Sequence, residues 1–359
     1  MASPSDPDLI ESIQCLWPEL AAEELMSDDY LRMLGFFRAK IQALQNSATP
    51  LGFVGWSCWL ATLTRIRSSP DSSKQHIHQE IRGITPIDHI SDAAIFRAIN
   101  AAASLWLTLD LRSPSHHIPP DSAICWPEDQ TLSAVISQRF QPMRTSHPSG
   151  DTTGINNSLT MAHLVSNYNF SISWSPNLAE HLIVDWDHKN VTIYEHKICL
   201  ANHLRLKDSA VLPVALTEEA IDTLNLLFPF DHAPTESLLR KHRIPFYGLG
   251  YCGRPRRLEL SKYPLWGARL EELSRVLDEP PVGLRQLGLG RGQRNLLQFA
   301  TFWIAVTVAI LTIVTFAVGV YSSVYAKKQY DLAVLQYKLS LAQVCLAPEA
   351  QVQLADFCP

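Results

Sequence analysis

The chain has 359 residues, with 30 Lys and Arg against 35 Asp and Glu, and a net charge of −5 when His is neutral. A mildly acidic chain lacks the positive field that general nucleic-acid binding needs, so no nucleic-acid partner is predicted. Hydrophobic residues make up 47% of the sequence and include nine Trp, which excludes an intrinsically disordered chain and indicates a folded core.

The N-terminal region, residues 1–112, has the apolar spacing of helices. Apolar residues recur every three or four positions over 31–44, and Ser27 or Asp28 precedes them as a candidate N-cap. A second good helix is predicted over 91–111, with the Ser at its first position as the cap. This part of the chain is therefore predicted to be helical.

The next region, residues 113–260, has a different sequence pattern. Short apolar runs alternate with loops that contain Pro, Ser and Gly, and Asp187-His-Lys-Asn has the composition of a hairpin turn. The pattern predicts a small α+β module with two or three short strands. The predicted helices lie within 132–140, 159–167, 198–206 and 216–227, and the predicted strands within 170–174, 182–186 and 191–194.

A basic segment follows and overlaps the end of the module. Residues 235–294 hold 12 Lys and Arg against 6 Asp and Glu, whereas residues 1–234 hold 15 against 26. Its last part, 261–294, is predicted to be a juxtamembrane helix and linker. Anionic lipids attract such a segment by roughly 1 kcal/mol per charge, so contact with anionic lipid through 235–294 is predicted. The alternative is a solvated loop that is rich in Arg by chance.

The strongest signal is an apolar run near the C-terminus. Residues 295–326 contain no Asp, Glu, Lys or Arg, and the centre of the run, 299–320, is long enough to cross a bilayer as one helix. A helix is expected because backbone polar groups in hydrocarbon must bond within the segment. The fold class predicted for the whole chain is therefore mostly α with a small α+β module, plus one C-terminal transmembrane helix and a short tail, 327–359.

The flanks of the run carry residues typical of membrane interfaces. Aromatic rings and basic side chains at both ends suit the headgroup region, where rings lie at the interface and long cations reach the headgroups. Small residues four positions apart permit close approach of two helices, so a helix-association face is also predicted. The anchor residues are Phe299, Trp303, Tyr321, Tyr325, Arg291, Arg294, Lys327 and Lys328, and the association face is Thr301, Ala305 and Ala309.

The orientation of the run is predicted from its surroundings. Four basic residues precede it closely and three follow, which decides little. The chain begins Met-Ala-Ser-Pro-Ser-Asp-Pro-Asp, which does not resemble a secretory signal peptide. Together with the basic segment, this predicts that residues 1–294 are cytosolic and that the tail lies across the membrane.

Candidate catalytic groups do not form a coherent set. The His residues at 181, 188, 196 and 203 invite a metal site, but no HExxH motif is present and structural roles are predicted. Gly248–Gly253 matches no phosphate-binding motif and is predicted to be a flexible loop. Glu218-Glu219 is predicted at an exposed helix start, and the five Cys before the run are predicted to be reduced core thiols. No catalytic residue, metal or cofactor is predicted.

Several short motifs follow one another along the C-terminal two-thirds of the chain. They are Trp126-Pro127; Asn177-Leu178 with His181-Leu182; Tyr194 with His196, Leu200 and His203-Leu204; Phe228-Pro229; Tyr263-Pro264 with Trp266, Arg269 and Leu270; and Thr301-Phe302-Trp303. In this order the chain resembles the uncharacterised single-pass membrane proteins of filamentous fungi. The resemblance implies a fungal membrane protein with one span and implies no catalytic residue.

The function predicted from these features is a membrane-anchored protein with a cytosolic interaction or scaffold domain and an unknown protein partner. Two alternatives remain open. One is an enzyme or accessory protein of a fungal pathway with an unfamiliar His-containing site within 181–203. The other is an oligomeric membrane component that self-associates through its transmembrane helix.

Overall fold

The computed structural model describes residues 6–46, 55–84, 90–114, 122–141, 154–206, 211–278 and 296–345. The chain divides into two compact units, Met1–Val282 and Gly283–Pro359. The first unit contains the buried core, and the second contains one long helix. Each unit is described by itself below.

Helices build the described part of the N-terminal half. The Trp59 indole donates to the Ser12 hydroxyl at 3.2 Å, which ties two of these helices together inside the core. Two short parallel strands follow the helices. The elements are α1 (Asp6–Leu16), α2 (Ala22–Leu25), α3 (Leu31–Gln45), α4 (Trp56–Ser68), α5 (Lys74–Ile84), α6 (Asp92–Leu107), β1 (Leu111–Arg112) and β2 (Ile124–Cys125).

The second half of this unit wraps helices around a small mixed sheet. Strand order is β3-β5-β4, with β3 parallel and β4 antiparallel to β5, so that Trp174 pairs with Ile193 and Val184 with Val191. The elements are α7 (Leu132–Arg139), α8 (Met161–Tyr168), β3 (Ser171–Ser175), β4 (Val184–Asp185), β5 (Asn190–Tyr194), α9 (Lys197–Arg205), α10 (Val214–Leu227), α11 (Ala233–His242) and α12 (Gly267–Arg275), with 3-10 turns at Leu178–Glu180, Leu260–Lys262 and Val276–Asp278.

Side-chain caps fix where several of these helices begin. The Ser91 hydroxyl accepts from the Ala94 N–H at 3.3 Å, as predicted for this helix. Thr131 and Thr160 cap α7 and α8 in the same way. Each cap satisfies one backbone donor that the first helical turn leaves without a partner, worth about 1 kcal/mol. The chain leaves α6 at Thr108, whose φ of 51° is left-handed.

Buried polar contacts join the helical half to the sheet. The Thr108 hydroxyl lies 2.6 Å from the Tyr194 hydroxyl, and the Leu178 N–H donates to the Thr108 carbonyl at 2.9 Å. Lys74 is fully buried and its Nζ donates to the Ser113 hydroxyl at 2.9 Å and to the Trp126 carbonyl at 3.1 Å. The core is thus continuous across residues 112 and 113, and a domain boundary at this point stays a prediction.

The predicted start of α3 is wrong. The helix begins at Leu31, with Tyr30 rather than Ser27 or Asp28 at the N-cap position. The physical reason is local, because the Ser27 carbonyl accepts from the Tyr30 N–H at 3.1 Å and closes a turn before the helix. Tyr30 is then drawn into the core, where its hydroxyl donates to Asn202 at 3.1 Å.

Helices α5 and α11 were not predicted because their apolar faces are narrow. In α5 the buried positions are Ile77, Ile81 and the lysine Lys74, so a charged residue takes a core position. In α11 a Pro stands at the start of the helix and the last turn is basic. Propensity and periodicity are weak for such segments, and packing decides their conformation.

The predicted fold class is confirmed. The described residues form a mostly α protein with a few short strands in two small sheets and one long apolar C-terminal helix, α13 (Leu296–Cys345). This helix contains residues 296–326 of the predicted apolar run, and it continues well past Ala326 into the predicted tail. The rest of the predicted tail, from 346 onward, lies outside the described residues.

Candidate membrane anchor

Helix α13 has the length and composition of a membrane span. It is 50 residues long, and its most apolar window is 0% buried. The uncharged part, up to Ala326, greatly exceeds the ~20 residues that cross the hydrocarbon core. At 1.5 Å per residue the whole helix is about 75 Å long, more than twice the ~30 Å thickness of that core.

Three hydroxyl groups in the apolar part of α13 have partners within the helix itself. Thr307, Thr312 and Thr315 each donate to the carbonyl four residues earlier, at 2.8 Å. In hydrocarbon an unsatisfied hydroxyl is costly, and bonding to the backbone removes this cost without another chain. These three side chains are therefore compatible with direct contact with lipid.

Predicted anchor residues lie at suitable heights along α13. Trp303 and Tyr321 are both exposed and are separated by about 27 Å along the axis, close to the thickness of a hydrocarbon core. Tyr321 and Tyr325 stack at 6.5 Å, and Lys327 and Lys328 follow as exposed side chains. Three further anchor predictions lie outside the described residues or side chains: Phe299, Arg291 and Arg294.

The predicted association face, Thr301, Ala305 and Ala309, lies on exposed positions of α13. Its residues follow one another at four-residue spacing, so they share one side of the helix. Whether a second helix packs on this face stays a prediction.

Some basic residues of the segment 235–294 make hydrogen bonds inside the folded unit and do not face lipid. Arg254 makes two 2.8 Å bonds to the buried carboxylate of Asp222. Arg256 donates to the carbonyls of Leu226 and Leu159 at 3.1 and 3.0 Å. A lipid contact would therefore use the exposed cations of 235–278, which are Arg240, Lys241, Arg243, Lys262 and Arg275. Arg285, Arg291 and Arg294 lie outside the described residues.

His181 is a structural residue. Its Nδ1 accepts from the Tyr194 N–H at 3.2 Å, so the proton is on Nε2, which donates to the Thr223 hydroxyl at 2.7 Å. The Trp266 ring meets it edge-on at 5.4 Å, and Arg269 donates to its backbone carbonyl. Burial, with a smaller effect of Arg269, lowers its pKa from 6.5 to about 3.

His196 and His203 also face the core. The His203 Nε2 donates to the Trp106 carbonyl at 2.9 Å, and the His196 ring lies 5.0 Å from Phe36. Burial lowers the pKa of His196 to about 3 and that of His203 to about 4. In the part of the chain that the structure describes, no group of His, Cys, Asp and Glu is arranged to hold a metal ion. These positions give no support to a His-containing catalytic site.

Motif residues behind the family resemblance meet in this region. His181 is contacted by Tyr194 at the end of β5 and by Trp266 and Arg269 at the start of α12. Leu182, the next residue, has a left-handed φ of 61° and is fully buried, which is unusual for a bulky side chain. These contacts give the motif residues a role in packing and in hydrogen bonding.

Glu219 corrects a prediction, because it is buried rather than exposed at the start of α10. Its Oε1 accepts from the backbone N–H groups of Leu265 and Trp266 at 2.8 and 2.7 Å, just before α12 begins. Burial raises its pKa to about 7, against the lowering effect of the two N–H donors. Glu218, in contrast, is partly exposed and pairs with Arg254 at 2.8 Å.

We expect Glu219→Ala to destabilise the folded unit by about 3 kcal/mol, because one buried and one partly buried N–H group lose their acceptor. Glu218→Ala is the matched control on the next residue. It removes a partly exposed ion pair and should cost less than about 1 kcal/mol. Urea denaturation of both variants measures the difference, and equal losses would contradict the role assigned to Glu219.

The Gly-rich segment Gly248–Gly253 accepts a hydrogen bond from a buried lysine. Lys197 Nζ donates to the Gly250 carbonyl at 2.7 Å and to the Asn225 side chain at 2.8 Å. Gly250 and Gly253 have φ of 54° and 72°, which glycine adopts without strain. Burial lowers the pKa of Lys197 to about 8. The segment therefore places the Gly250 carbonyl where it accepts a hydrogen bond from the buried Lys197 ammonium group.

The described cysteines are free thiols, and they differ in exposure. Cys58 and Cys199 are buried core thiols, as predicted, and burial raises the pKa of Cys199. The prediction is wrong for Cys125, which is exposed at the end of β2. The side chains of β strands alternate between faces, and the preceding residue of β2, Ile124, takes the inward one.

Comparisons of this chain with protein-family models, with curated proteins and with solved structures find no match. The resemblance to single-pass membrane proteins of filamentous fungi therefore stays a prediction, and function is argued from the residues of the chain itself.

Proposed function

We propose that this protein is held in a membrane as a single-pass protein by α13 and presents its folded unit, Met1–Val282, to the cytosol as an interaction or scaffold domain. The observation that carries the proposal is the uncharged helix, which is unburied over its described side chains, 300–326. An apolar surface of this length is costly in water and favourable in hydrocarbon. The lipid bilayer is therefore the proposed partner of α13.

Charge and thiols support the cytosolic orientation. The basic segment precedes the helix, and exposed cations such as Lys241 and Arg243 are available to anionic lipid headgroups on the cytosolic face. Residues 327–359, which follow the uncharged run, hold three basic and three acidic groups, so they add no competing net positive charge. Cys58 and Cys199 are buried free thiols, which suits a reducing compartment such as the cytosol.

A protein partner is proposed for the surface of the folded unit. Trp186 in the β4–β5 hairpin is 46% exposed, and Ile183 beside it is 40% exposed. The Trp186 ring packs edge-on against Phe170 at 6.2 Å, so it is held in place while one side remains open. A fixed, exposed indole is typical of residues that dominate binding energy at interfaces.

Partner recovery tests this function. After cross-linking in intact cells, we expect full-length protein in the membrane fraction to recover a partner that Trp186→Ala recovers about tenfold less well, the cost of losing an interfacial indole. A chain without 296–345 should lose the membrane fraction and serves as the anchor control. Recovery of no partner with either form would remove the support for an interaction domain.

A further inference from the structure

Lys74 is a buried lysine whose described contacts include no ion pair. Its side chain is fully buried, and no carboxylate of a described residue lies within ion-pair distance of its Nζ. The Nζ lies 5.3 Å from the ring centre of Trp126 and 5.7 Å from that of Phe96. Burial penalises the ammonium ion and lowers the pKa of Lys74 to about 8, against smaller raising effects of Glu128 and Cys125. The neutral amine, which is a proton acceptor, is therefore populated close to neutral pH.

One hydrogen-bond partner of Lys74 is a hydroxyl group that solvent can reach. The Nζ donates to the Ser113 hydroxyl at 2.9 Å and to the Trp126 carbonyl at 3.1 Å. Ser113 follows β1 and Trp126 follows β2, and the parallel pairing of these strands brings both acceptors to the same end of the sheet. Lys74 is buried, whereas Ser113 is exposed. The pair therefore connects an interior amine to a surface hydroxyl.

Asn100 of α6 contacts the same hydroxyl. Its Nδ2 donates to the Ser113 Oγ at 2.9 Å. Asn100 is 9% exposed, and its Oδ1 has no hydrogen-bond partner among the described residues. A buried polar atom without a partner costs free energy, and proteins often retain such costs at functional sites. Two donors on one oxygen hold the Ser113 Oγ in place and stabilise negative charge that develops there when its proton leaves.

The other buried lysine of the folded unit, Lys197, has partners of a different kind. Its Nζ donates to the side-chain oxygen of Asn225 at 2.8 Å and to the Gly250 carbonyl at 2.7 Å. Amide oxygens of this kind carry no proton that an amine can accept, so they hold the lysine and cannot become nucleophiles. Lys74 differs because its partner Ser113 does carry such a proton.

We propose that Ser113, Lys74 and Asn100 form a serine–lysine acyl-transfer site whose substrate is a carboxylic ester. Neutral Lys74 accepts the Ser113 proton as the Oγ bonds to the ester carbonyl carbon. The Lys74 ammonium group then gives this proton to the departing alkoxide as the ester C–O bond breaks, which leaves the acyl group on Ser113. Water attacks this acyl group, its proton passes through Lys74 to the Oγ, and a carboxylic acid is released. Ester and water thus become acid and alcohol.

The exposure of Ser113 favours an ester over an amide as the substrate. Water in an open site competes for the hydrogen bonds that stabilise an oxyanion, so this stabilisation is weak there. An ester, which expels an alcohol, needs less of it than an amide, which expels an amine. The inference is independent of the membrane anchor, because all three residues belong to the folded unit.

Covalent labelling of the detergent-solubilised full-length chain with a fluorophosphonate tests the nucleophile. An Oγ–P bond forms, fluoride leaves, the proton passes to Lys74, and mass spectrometry locates the label. We expect label on Ser113 and about 100-fold less on Ser68, an exposed serine whose hydroxyl donates to the Arg65 carbonyl. Ser113→Ala should abolish the main label, and Ser68→Ala should leave it unchanged. Equal labelling of the two serines, or no label on Ser113, would overturn the proposal.

The pH dependence of labelling tests the base in the native chain. The neutral fraction of Lys74 rises from about one-tenth at pH 7 to about nine-tenths at pH 9, so the rate should rise about tenfold and then level off. A rate that is constant over this range would contradict a lysine base. A rate that rises about 100-fold without levelling off, as for attack driven by hydroxide alone, would also contradict it.

Two variants test the base and the substrate class. Lys74→Arg keeps a positive charge but does not lose its proton, so labelling of Ser113 should slow about 100-fold. Urea denaturation reports whether this variant is folded, and the pH profile of the native chain decides if it is not. Hydrolysis of p-nitrophenyl acetate should be lost in Ser113→Ala. A folded Lys74→Arg chain that is labelled at the native rate, or ester hydrolysis that persists in Ser113→Ala, would overturn the assignment.

Discussion

Replacing Ile313 and Val314 by Arg is expected to release the protein from the membrane. Each Arg at the centre of a span costs about 3 kcal/mol on insertion scales, so the pair costs about 6 kcal/mol. About a dozen Leu, Ile, Val and Phe residues in 299–320 contribute roughly −0.3 to −0.6 kcal/mol each, about −5 kcal/mol together. Insertion then changes from favourable to unfavourable, and alkaline extraction should move the variant from the pellet to the supernatant.

Two matched changes separate hydrophobicity from general damage to α13. Ile313→Leu with Val314→Leu keeps the apolar surface and should stay in the pellet. Gln329→Arg with Gln336→Arg adds the same charge outside the predicted hydrocarbon span and should also stay there. A variant with central arginines that stays in the pellet like the native chain would show that 299–320 is not the span.

The folded unit is expected to lose stability steeply when the pH falls from 7 to 5. Folding lowers the pKa of His181, His196 and His203 from 6.5 to between about 3 and 4, because burial penalises the imidazolium. Below 6.5 the unfolded chain therefore binds more protons, so stability is complete above that pH and is lost below it. The loss is about 2 kcal/mol for each His by pH 5, or about 6 kcal/mol together.

Glu219 opposes this loss in part. Its pKa is raised to about 7 in the folded chain, so the folded state takes up a proton first as the pH falls and gains about 2 kcal/mol by pH 5. The net loss is then about 4 kcal/mol, a large part of the stability of an ordinary domain. Urea denaturation of the detergent-solubilised full-length chain at pH 7 and 5, followed by Trp fluorescence, measures it.

Single histidine variants locate the source of the pH dependence. His203→Gln keeps a donor for the Trp106 carbonyl and should remove about 2 kcal/mol of the pH 7 to 5 difference. His76→Gln, which changes an imidazole that is 55% exposed, is the matched control. A native protein with equal stability at pH 7 and 5 would contradict the neutral, buried state of the three histidines.

Sequence features that act locally were predictable. Ser91 caps α6 because its hydroxyl is close to the first free N–H groups, a relation contained in four consecutive residues, 91–94. The apolar run was equally clear, because a span must be long and uncharged regardless of the remaining fold. The hairpin turn at Asp187–Asn190 was predictable as well, and the Asp185 side chain stabilises it by accepting from the Asp187 N–H at 3.1 Å.

Long-range partners were not predictable from local patterns. Lys74 and Glu219 look like surface residues in the sequence, yet each is buried because its polar groups meet acceptors or donors far along the chain. The left-handed conformation of Leu182 depends in the same way on the Leu182 N–H bond to the Thr192 carbonyl, at 2.8 Å. Such positions are fixed by tertiary contacts that override propensity.

The end of α13 differs from the predicted end of the span for another reason. Charges at Lys327 and Lys328 mark the end of the apolar run, and the prediction ended the helix there as well. A charge ends a span and does not end a helix, since Lys is a good helix former. The helical residues 327–345 are consequently part of the predicted tail, although apolar residues recur there every three or four positions.

Glycosylation mapping of the full-length chain tests the membrane-spanning arrangement most directly. Native sequons at Asn156 and Asn169 lie at exposed positions of the folded unit, and Gln353→Asn with Ala355→Thr places a new sequon in the tail. We expect one endoglycosidase-sensitive glycan on the tail and none on the folded unit, because α13 separates the two compartments. A glycan at Asn156 or Asn169, or a tail sequon that remains unmodified, would contradict this arrangement.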